Sequence, residues 1–378
     1  MNKNDGPENT AELTPVRANR VDEVDDQIRG LLRRLSVFFR EPVPTGSFSL
    51  SYLAEGAANV VWLIHFQNSN LDQHDSSVVL RMRKDVPSTL PMVQFKRDFE
   101  ARIAPLFSFD PSLLLPVELV QLCPQVIDRL NRQLRQLEGA EGRSALRTGT
   151  YHPDFADEQY AMVMPNLGHG PGVIVEFKPK WLTQSPSAPR NAQRCRTCAM
   201  NSMRRSKGGS GRGDSGFCPF DLLSRKDAIL FGALRQIWRD EDTLSSFADT
   251  FRSRVQPALR QLQKLQLRHN EVGLEDFQQP QEKDFAVAMA LRDCSMVLKV
   301  VQSGSGSASQ IPTVKLLDLD LKDSGGGKLE KWARMESELI EEDLLVMVLV
   351  MLDIEYLISL FLENWIVNSL YLGSNTLD

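Results

Sequence analysis

The chain has 378 residues, 42% hydrophobic and 25% charged, an ordinary globular composition that argues against wholesale disorder. Its net charge of -5 leaves no global basic excess for nucleic-acid phosphates, so any cationic site must be a local cluster. Cys123, Cys195, Cys198, Cys218 and Cys294 are a sparse, odd set; with no apolar run in the opening MNKNDGPENTAELTP and no Asn-x-Ser/Thr sequon, they favour a reducing compartment, nucleus or cytoplasm.

Residues 1–25 are polar and read as disordered. Over 43–66 two β-like runs, SFSLSYL and VVWLIHF, flank a small-residue turn, AEGAAN, and a third run, SVVLRMRKD, follows a polar loop. Strand, turn, strand, loop, strand is the layout of an antiparallel unit. Val126, Ile127, Leu130, Leu134 and Leu137 recur at helical spacing, and 138–150 reads as a loop. QYAMVMPNL and VIVEFKPKW read as two further strands, and 184–216 as irregular chain ending in a flexible Gly/Arg/Ser loop. Two helices follow. Ile229, Leu230, Ala233, Leu234, Ile237 and Trp238 make the apolar face of the first; the second runs from Phe247 to Leu265 with a kink at Pro257. CSMVLKVVQ and IPTVKLLDLDL read as a hairpin with a loose tip. The apolar run from Leu344 is broken by Asp353, Glu355 and Glu363 before it reaches the roughly 20 residues of a bilayer span, so a buried or partner-facing helix is the better reading. The expected class is α+β, with a β-rich N-lobe over 26–165, a larger mixed C-lobe over 166–343 and an apolar segment over 344–378. That outline is two-lobed and kinase-like.

Several residues have chemistry to offer. Glu55, Gly56, Ala57, Ala58 and Asn59 form a turn whose small residues let backbone N–H groups approach phosphate oxygens, although most such turns are simply hairpins. No Walker-type phosphate loop is present, nor the HRD and DFG signatures of protein kinases. Arg81 and Arg83 share a strand face, and one could meet nucleotide phosphates; spacing alone favours a solvated strand end. Lys178 and Lys180, in EFKPK, place two ammonium groups on one side of a proline-stiffened strand, an arrangement that asks for an anion between them. Asp293 precedes one strand of the predicted hairpin and Asp318 ends the other, so their carboxylates converge at one end and suit one or two Mg²⁺ ions. Aspartates at strand ends also cap turns, and either alone would be a weak signal.

Taken in order, EGAANVV, LRMRK, EFKPKW, CRTCAMNSMRR, CPFDLLS, RDCS and LLDLDLK resemble the inositol-pentakisphosphate 2-kinase family, particularly its fungal members, with EFKPK the most diagnostic. The resemblance implies phosphoryl transfer from ATP to the 2-hydroxyl of inositol pentakisphosphate, with Mg²⁺; charge and hydropathy argue against a nucleic-acid or membrane partner, and a monomer is expected. It implies that the loop from Glu55 to Asn59 covers the nucleotide and that Arg81 meets ATP phosphates. Lys178 would touch the transferred phosphate, Lys180, Arg204 and Lys322 would hold substrate phosphates, and Asp293 and Asp318 would hold metal, Asp293 also facing the attacking hydroxyl. The loop has less glycine than is usual in the family, and Lys328 and Lys331 are equal candidates for a further substrate contact. The alternatives are a catalytically inactive inositol-phosphate-binding protein or a kinase of another small acceptor. Some relatives carry a His/Cys zinc site in a C-lobe insertion, but 256–283 contains no cysteine here. Cys195-x-x-Cys198 with Cys218 is a partial zinc pattern without an obvious fourth ligand, so no structural zinc is expected and buried thiols are the alternative.

Overall fold

The computed structural model describes residues 48–66, 75–87, 89–140, 142–208, 216–270, 273–274, 284–302, 309–321 and 328–346. It is an α+β structure built on two antiparallel sheets. The first has the order β1-β2-β3-β5-β4, from Phe48–Glu55, Asn59–Phe66, Asp75–Arg83, Tyr160–Pro165 and Glu118–Gln121 in that spatial sequence. Alternation along β2 sets which face is covered: Val60, Trp62 and Ile64 are fully buried while Val61, Leu63 and His65 are half-buried. The buried face packs against α2 (Pro124–Gly139) through Val126, Ile127, Leu130 and Leu134, the residues whose spacing predicted that helix.

A polar buckle closes this core. Trp62 Nε1 donates to His152 Nε2 at 3.1 Å, and the His152 Nδ1, left as the protonated nitrogen, lies 2.9 Å from the Arg83 carbonyl. Burial pushes the His152 imidazole down to about 4, so it is neutral at pH 7. The opposite face of the sheet carries a smaller apolar cluster of Val79, Met92, Leu115, Met162 and Met164 beside α1 (Met92–Asp98).

The second sheet has the order β6-β7-β8, from Val173–Phe177, Ser295–Gln302 and Ser309–Leu317. Its core is larger and takes in Val175, Phe177, Met296, Leu298 and Leu316 from the sheet, together with α4 (Asp227–Leu234), α5 (Leu244–Thr250), α6 (Gln256–Arg268) and α7 (Phe285–Asp293). Ile103, Phe107, Leu113 and Leu114 join this core from the chain that follows α1. β5 and β6, read from sequence as consecutive strands, thus belong to different sheets. The predicted long helix is instead α5 and α6 joined through a π-turn at Phe251–Val255. Pro257 then falls in the first turn of α6, where its missing N–H breaks no helical bond.

One stretch differs from the sequence expectation. Within the supposedly irregular 184–216 lies α3 (Arg196–Ser206), opened by Cys195, whose sulfur accepts the Cys198 N–H. Its Ala199, Met200 and Met203 pack against α8 (Lys328–Glu341) and the Leu344 and Leu345 that follow it. Leu344 and Leu345 therefore begin the apolar segment as core residues, and the rest of that segment from 347 lies outside the described residues, as does 1–47. Among the described residues no helix is long and apolar enough to cross a membrane.

Candidate active site

Strand register brings the charged residues together. Phe177 at the end of β6 pairs with Met296 near the start of β7, and Ser295 pairs with Leu317 at the end of β8. Lys178, Asp293 and Asp318 are the residues that leave this one edge. The Lys178 ammonium donates to the Asp293 carbonyl at 3.0 Å and lies 3.4 Å from the Asp318 carboxylate and 3.7 Å from that of Asp293. Lys180 Nζ donates to Asp293 Oδ1 at 2.9 Å, and Ser295 Oγ lies 3.3 Å from Asp318 Oδ2. Burial works to lower the Lys178 pKa, but the Asp293 and Asp318 carboxylates outweigh it and the net shift is upward, so the ammonium stays charged. Both carboxylates are about half exposed, with side chains 46% and 51% accessible, and open to a ligand.

Two of these residues sit in unusual backbone conformations. Lys180 has φ of 56° and Asp318 of 57°, in the left-handed region that costs a non-glycine residue about 1 kcal/mol. The surroundings of Lys180 impose it. Gln266, wholly buried in α6, accepts the Leu182 N–H at 2.7 Å and donates at 2.9 Å to both the Lys180 and the Leu291 carbonyls. One amide thereby ties the chain leaving β6 to the end of α7, and so Lys180 to Asp293.

Beside this edge lies a cavity of about 240 Å³ lined by Lys180, Arg196, Asn201, Arg204, Arg292 and Asp293, with Trp181 and Trp332 in its wall. The guanidinium carbons of Arg292 and Arg196 lie 4.2 and 4.4 Å from the Trp181 ring centroid. Arg292 is buried; its Nη2 reaches the His269 carbonyl and the Asn270 side chain, while Nε and Nη1 have no hydrogen-bond partner among the described residues. Burial, then Arg196, lower its pKa to about 10, which leaves it cationic at pH 7. Arg204, singled out from sequence, lines this cavity with Lys180. Lys322 lies outside the described residues. Lys331 is exposed on α8, and the side chain of Lys328 is outside the described residues.

At the first sheet, β1 and β2 are joined by the expected turn, closed by Gly56 N–H donating to the Asn59 carbonyl at 2.9 Å; the Ala58 carbonyl accepts the Lys84 N–H, and Ala57 is exposed. The Glu55 carboxylate is engaged elsewhere, by Lys84 and by a two-pronged contact with Arg143 at 2.8 and 2.9 Å. Burial alone would raise its pKa, but the hydrogen bonds from Arg143 and Lys84 hold it down to about 2. Arg81 is no solvated strand end: its Nη2 meets Asp320 at 2.5 Å, and its guanidinium lies 5.0 Å from the Phe95 ring. Arg81, Asn59, Phe95, Leu319 and Asp320 border a small cavity of about 70 Å³, and the buried Asn59 Oδ1 has no partner among the described residues. Asp320 escaped the sequence reading, yet DLD spacing sets Asp318 and Asp320 two residues apart, a visible signal. Gln266 and Arg292 carried none.

The partial cysteine pattern noted in the sequence is brought together in space. Cys195, Cys198 and Cys218 converge, with all three sulfurs within 4.8 Å of one another.

Paired carboxylates, paired ammonium groups and an adjoining cationic cavity make up the parts of a phosphoryl-transfer site, where positioning and charge neutralisation carry the chemistry. The comparison with known proteins narrows the class. Residues 52–338 match the family model described as inositol-pentakisphosphate 2-kinase. A protein of Yarrowia lipolytica named inositol-pentakisphosphate 2-kinase is 26% identical over 310 residues, covering 79% of this chain and 94% of that protein. The chain belongs to the inositol-pentakisphosphate 2-kinase family.

Proposed function

We propose that this chain transfers the γ-phosphoryl group of ATP to the 2-hydroxyl of inositol pentakisphosphate, giving the hexakisphosphate. The observation that carries the reading is the meeting of Lys178, Lys180, Asp293 and Asp318 at one sheet edge, within reach of a cavity lined by three arginines. A substrate with five phosphates needs such a wall of cations, and a loose phosphoryl-transfer transition state needs charge held in place more than covalent help.

Each residue then has a task. Lys178 steadies the transferred group, and Lys180 with Arg204 grips substrate phosphates beside it. The Asp293 carboxylate faces the attacking hydroxyl and takes its proton late in the transfer. The turn from Gly56 to Asn59 covers the nucleotide, and Arg81, at the border between the two sheets, meets its phosphates. Asp293 and Asp318 are a fitting pair for Mg²⁺, being hard oxygen donors, half exposed and aimed at one point occupied by an ammonium group. Bound there, the ion would supply charge neutralisation to the nucleotide phosphates.

The test is incubation of the purified protein with ATP, Mg²⁺ and inositol pentakisphosphate, beside Asp293→Ala, with products separated by anion exchange. Hexakisphosphate formed by the native chain and absent with the variant is the expected result. Tight inositol-phosphate binding without conversion would replace the reading with an inactive binding protein; conversion of a different acceptor would replace the substrate.

A further inference from the structure

A larger cavity lies beside the 166–172 connection that carries the chain from the first sheet to the second. Its volume is about 770 Å³, against about 240 Å³ for the cavity at the catalytic edge, and none of Lys178, Lys180, Asp293, Asp318 and Arg81 lines it. Strand register sets what does. Lys299 of β7 pairs with Thr313 of β8, and Val297 with Lys315, so the two lysines share one sheet face as diagonal neighbours. Such neighbours stand about 7 Å apart at Cβ. The other face carries Leu298, Val300 and Leu316 into the core. Both lysines line the cavity, and so does Arg254, an exposed residue of the π-turn before α6.

These cations lack a counter-charge. Lys315 Nζ donates to the Ser112 and Leu114 carbonyls at 2.6 and 3.1 Å, and Lys299 Nζ donates to the His169 carbonyl. An ammonium has three N–H donors, so Lys315 keeps one and Lys299 two beyond these contacts among the described residues. No carboxylate contacts Lys299, Lys315 or Arg254 among the described residues. Asp110, the acid in the wall, caps its own turn by accepting from the Ser112 N–H at 3.1 Å and the Ser112 hydroxyl at 2.5 Å. Burial pushes the Lys315 pKa down, and the Asp110 charge offsets this only in part. Clamping of the chain accounts for the carbonyl contacts. It gives no reason for a third cation on the same cavity, or for a space of this size between them.

Leu115, Pro116, Leu167 and Pro257 give the cavity an apolar wall. Inorganic phosphate would leave most of the volume to water, whereas an organic body against that wall, with its phosphates at the cations, fills it. We propose that the cavity is a second ligand site, for an organic compound carrying two or more phosphate groups, held by Lys299, Lys315 and Arg254. The site stands apart from the catalytic edge, yet Lys315 is on the strand that leads to Asp318, about 10 Å further along at 3.3 Å per residue.

The experiment is equilibrium dialysis of the full chain with inositol hexakisphosphate and, separately, with ADP. Inositol and nucleotide carry the same phosphate chemistry, and the ligand that binds here identifies the source. At least one of the two is expected to show a bound equivalent that Lys299→Met/Lys315→Met weakens about tenfold or more and that Lys180→Ala leaves within about twofold. If the double variant fails to fold, Arg254→Glu, at an exposed position, should produce the same loss. Binding of both ligands that the cavity variants leave within about twofold of native overturns the site. Pyrophosphate bound here as tightly as the organic phosphates overturns the ligand class. Counting equivalents requires no turnover, so this result is independent of the proposed kinase reading.

Discussion

Replacing Gln266 by leucine tests whether catalysis depends on a residue that touches no reactant. The side chain is wholly buried and serves three backbone groups: the Leu182 N–H and the Lys180 and Leu291 carbonyls. Leucine fills nearly the same space and satisfies none of them. Each buried group left unpaired costs about 1–3 kcal/mol, with the low end applying to the half-buried Lys180, so a loss of about 3–5 kcal/mol is expected. The chain relaxes that loss by moving, and the segment freest to move is the one at Lys180, already in a left-handed conformation. A shift of about 1 Å between Lys180 and Asp293 is enough to lower turnover about 100-fold. Steady-state kinetics on Gln266→Leu should show that fall mainly in kcat, at temperatures where circular dichroism confirms a folded protein. Gln266→Glu makes the control. It keeps an acceptor for Leu182 but has no N–H for the two carbonyls, so it should be no better than leucine. A Gln266→Leu protein with a lowered melting temperature but kcat within threefold of native would refute the clamp and leave the glutamine a merely structural group.

Other predictions follow from the same geometry. Lys178→Ala should reduce kcat with little change in KM for the inositol phosphate, while Lys180→Ala should mainly raise that KM; equal losses of kcat with unchanged KM in both would count against the division of roles. Arg81→Ala should raise KM for ATP about tenfold, the equivalent of 1.4 kcal/mol, as read by initial rates at varied nucleotide. Stability should depend on His152 in a definite pH window. Its folded pKa, about 4, lies below the ordinary value of 6.5, so the stabilisation is full above pH 6.5 and is lost as pH falls towards 4, by on the order of 3 kcal/mol. Urea unfolding of His152→Gln at pH 7 and pH 5 should show less of that dependence than the native chain. Glu55 acts lower down: held at about 2 against an ordinary 4.5, it stabilises above pH 4.5 and ceases to do so as pH falls towards 2. Glu55→Gln should flatten acid unfolding in that range.

Legibility from sequence followed the physics of each element. α2 buries one face only, so Val126, Ile127, Leu130 and Leu134 recur at helical spacing, whereas β2, with Val60, Trp62 and Ile64 in one core and Val61 and Leu63 against a second cluster, reads as an unbroken apolar run. α7 is covered nearly all round, from Phe285 through Leu291 and even Arg292, and so shows no polar face to betray it. α3 had the opposite disguise. Its Arg, Asn, Ser and Cys content looks like loop, and the reason it is a helix lies more than a hundred residues away, in Leu339, Leu344 and Leu345. The same distance hid Asp320, whose partner Arg81 is 239 residues off in sequence. Gln266 reads as one more solvated helix glutamine. Strand ends, by contrast, are fixed by pairing, which is why Asp293 and Asp318 could be placed at one end of a hairpin from sequence, whereas Lys178 joins them only through the register of β6 with β7.

A chain of net charge -5 taking a substrate of many negative charges is less paradoxical than the total implies. Without ligand, Lys178 and Lys180 lean on Asp293 and Asp318, so each sign of charge compensates the other at the sheet edge. Arg292 is the exception, a buried guanidinium with two nitrogens unpaired among the described residues beside the cavity. On the proposed reaction, the incoming phosphates draw Lys180 away from Asp293, and that carboxylate is released to the hydroxyl only when substrate is in place. The ion pair thus has two uses: it keeps four charged groups satisfied in the empty site, and it couples arrival of the polyanion to freeing of the base. Lys180→Met removes one side of that exchange. It should weaken substrate binding and also leave Asp293 of the free enzyme without its closest cation, raising the pH at which kcat/KM is half-maximal, whereas a Lys180 that did no more than bind substrate would leave that pH where it was.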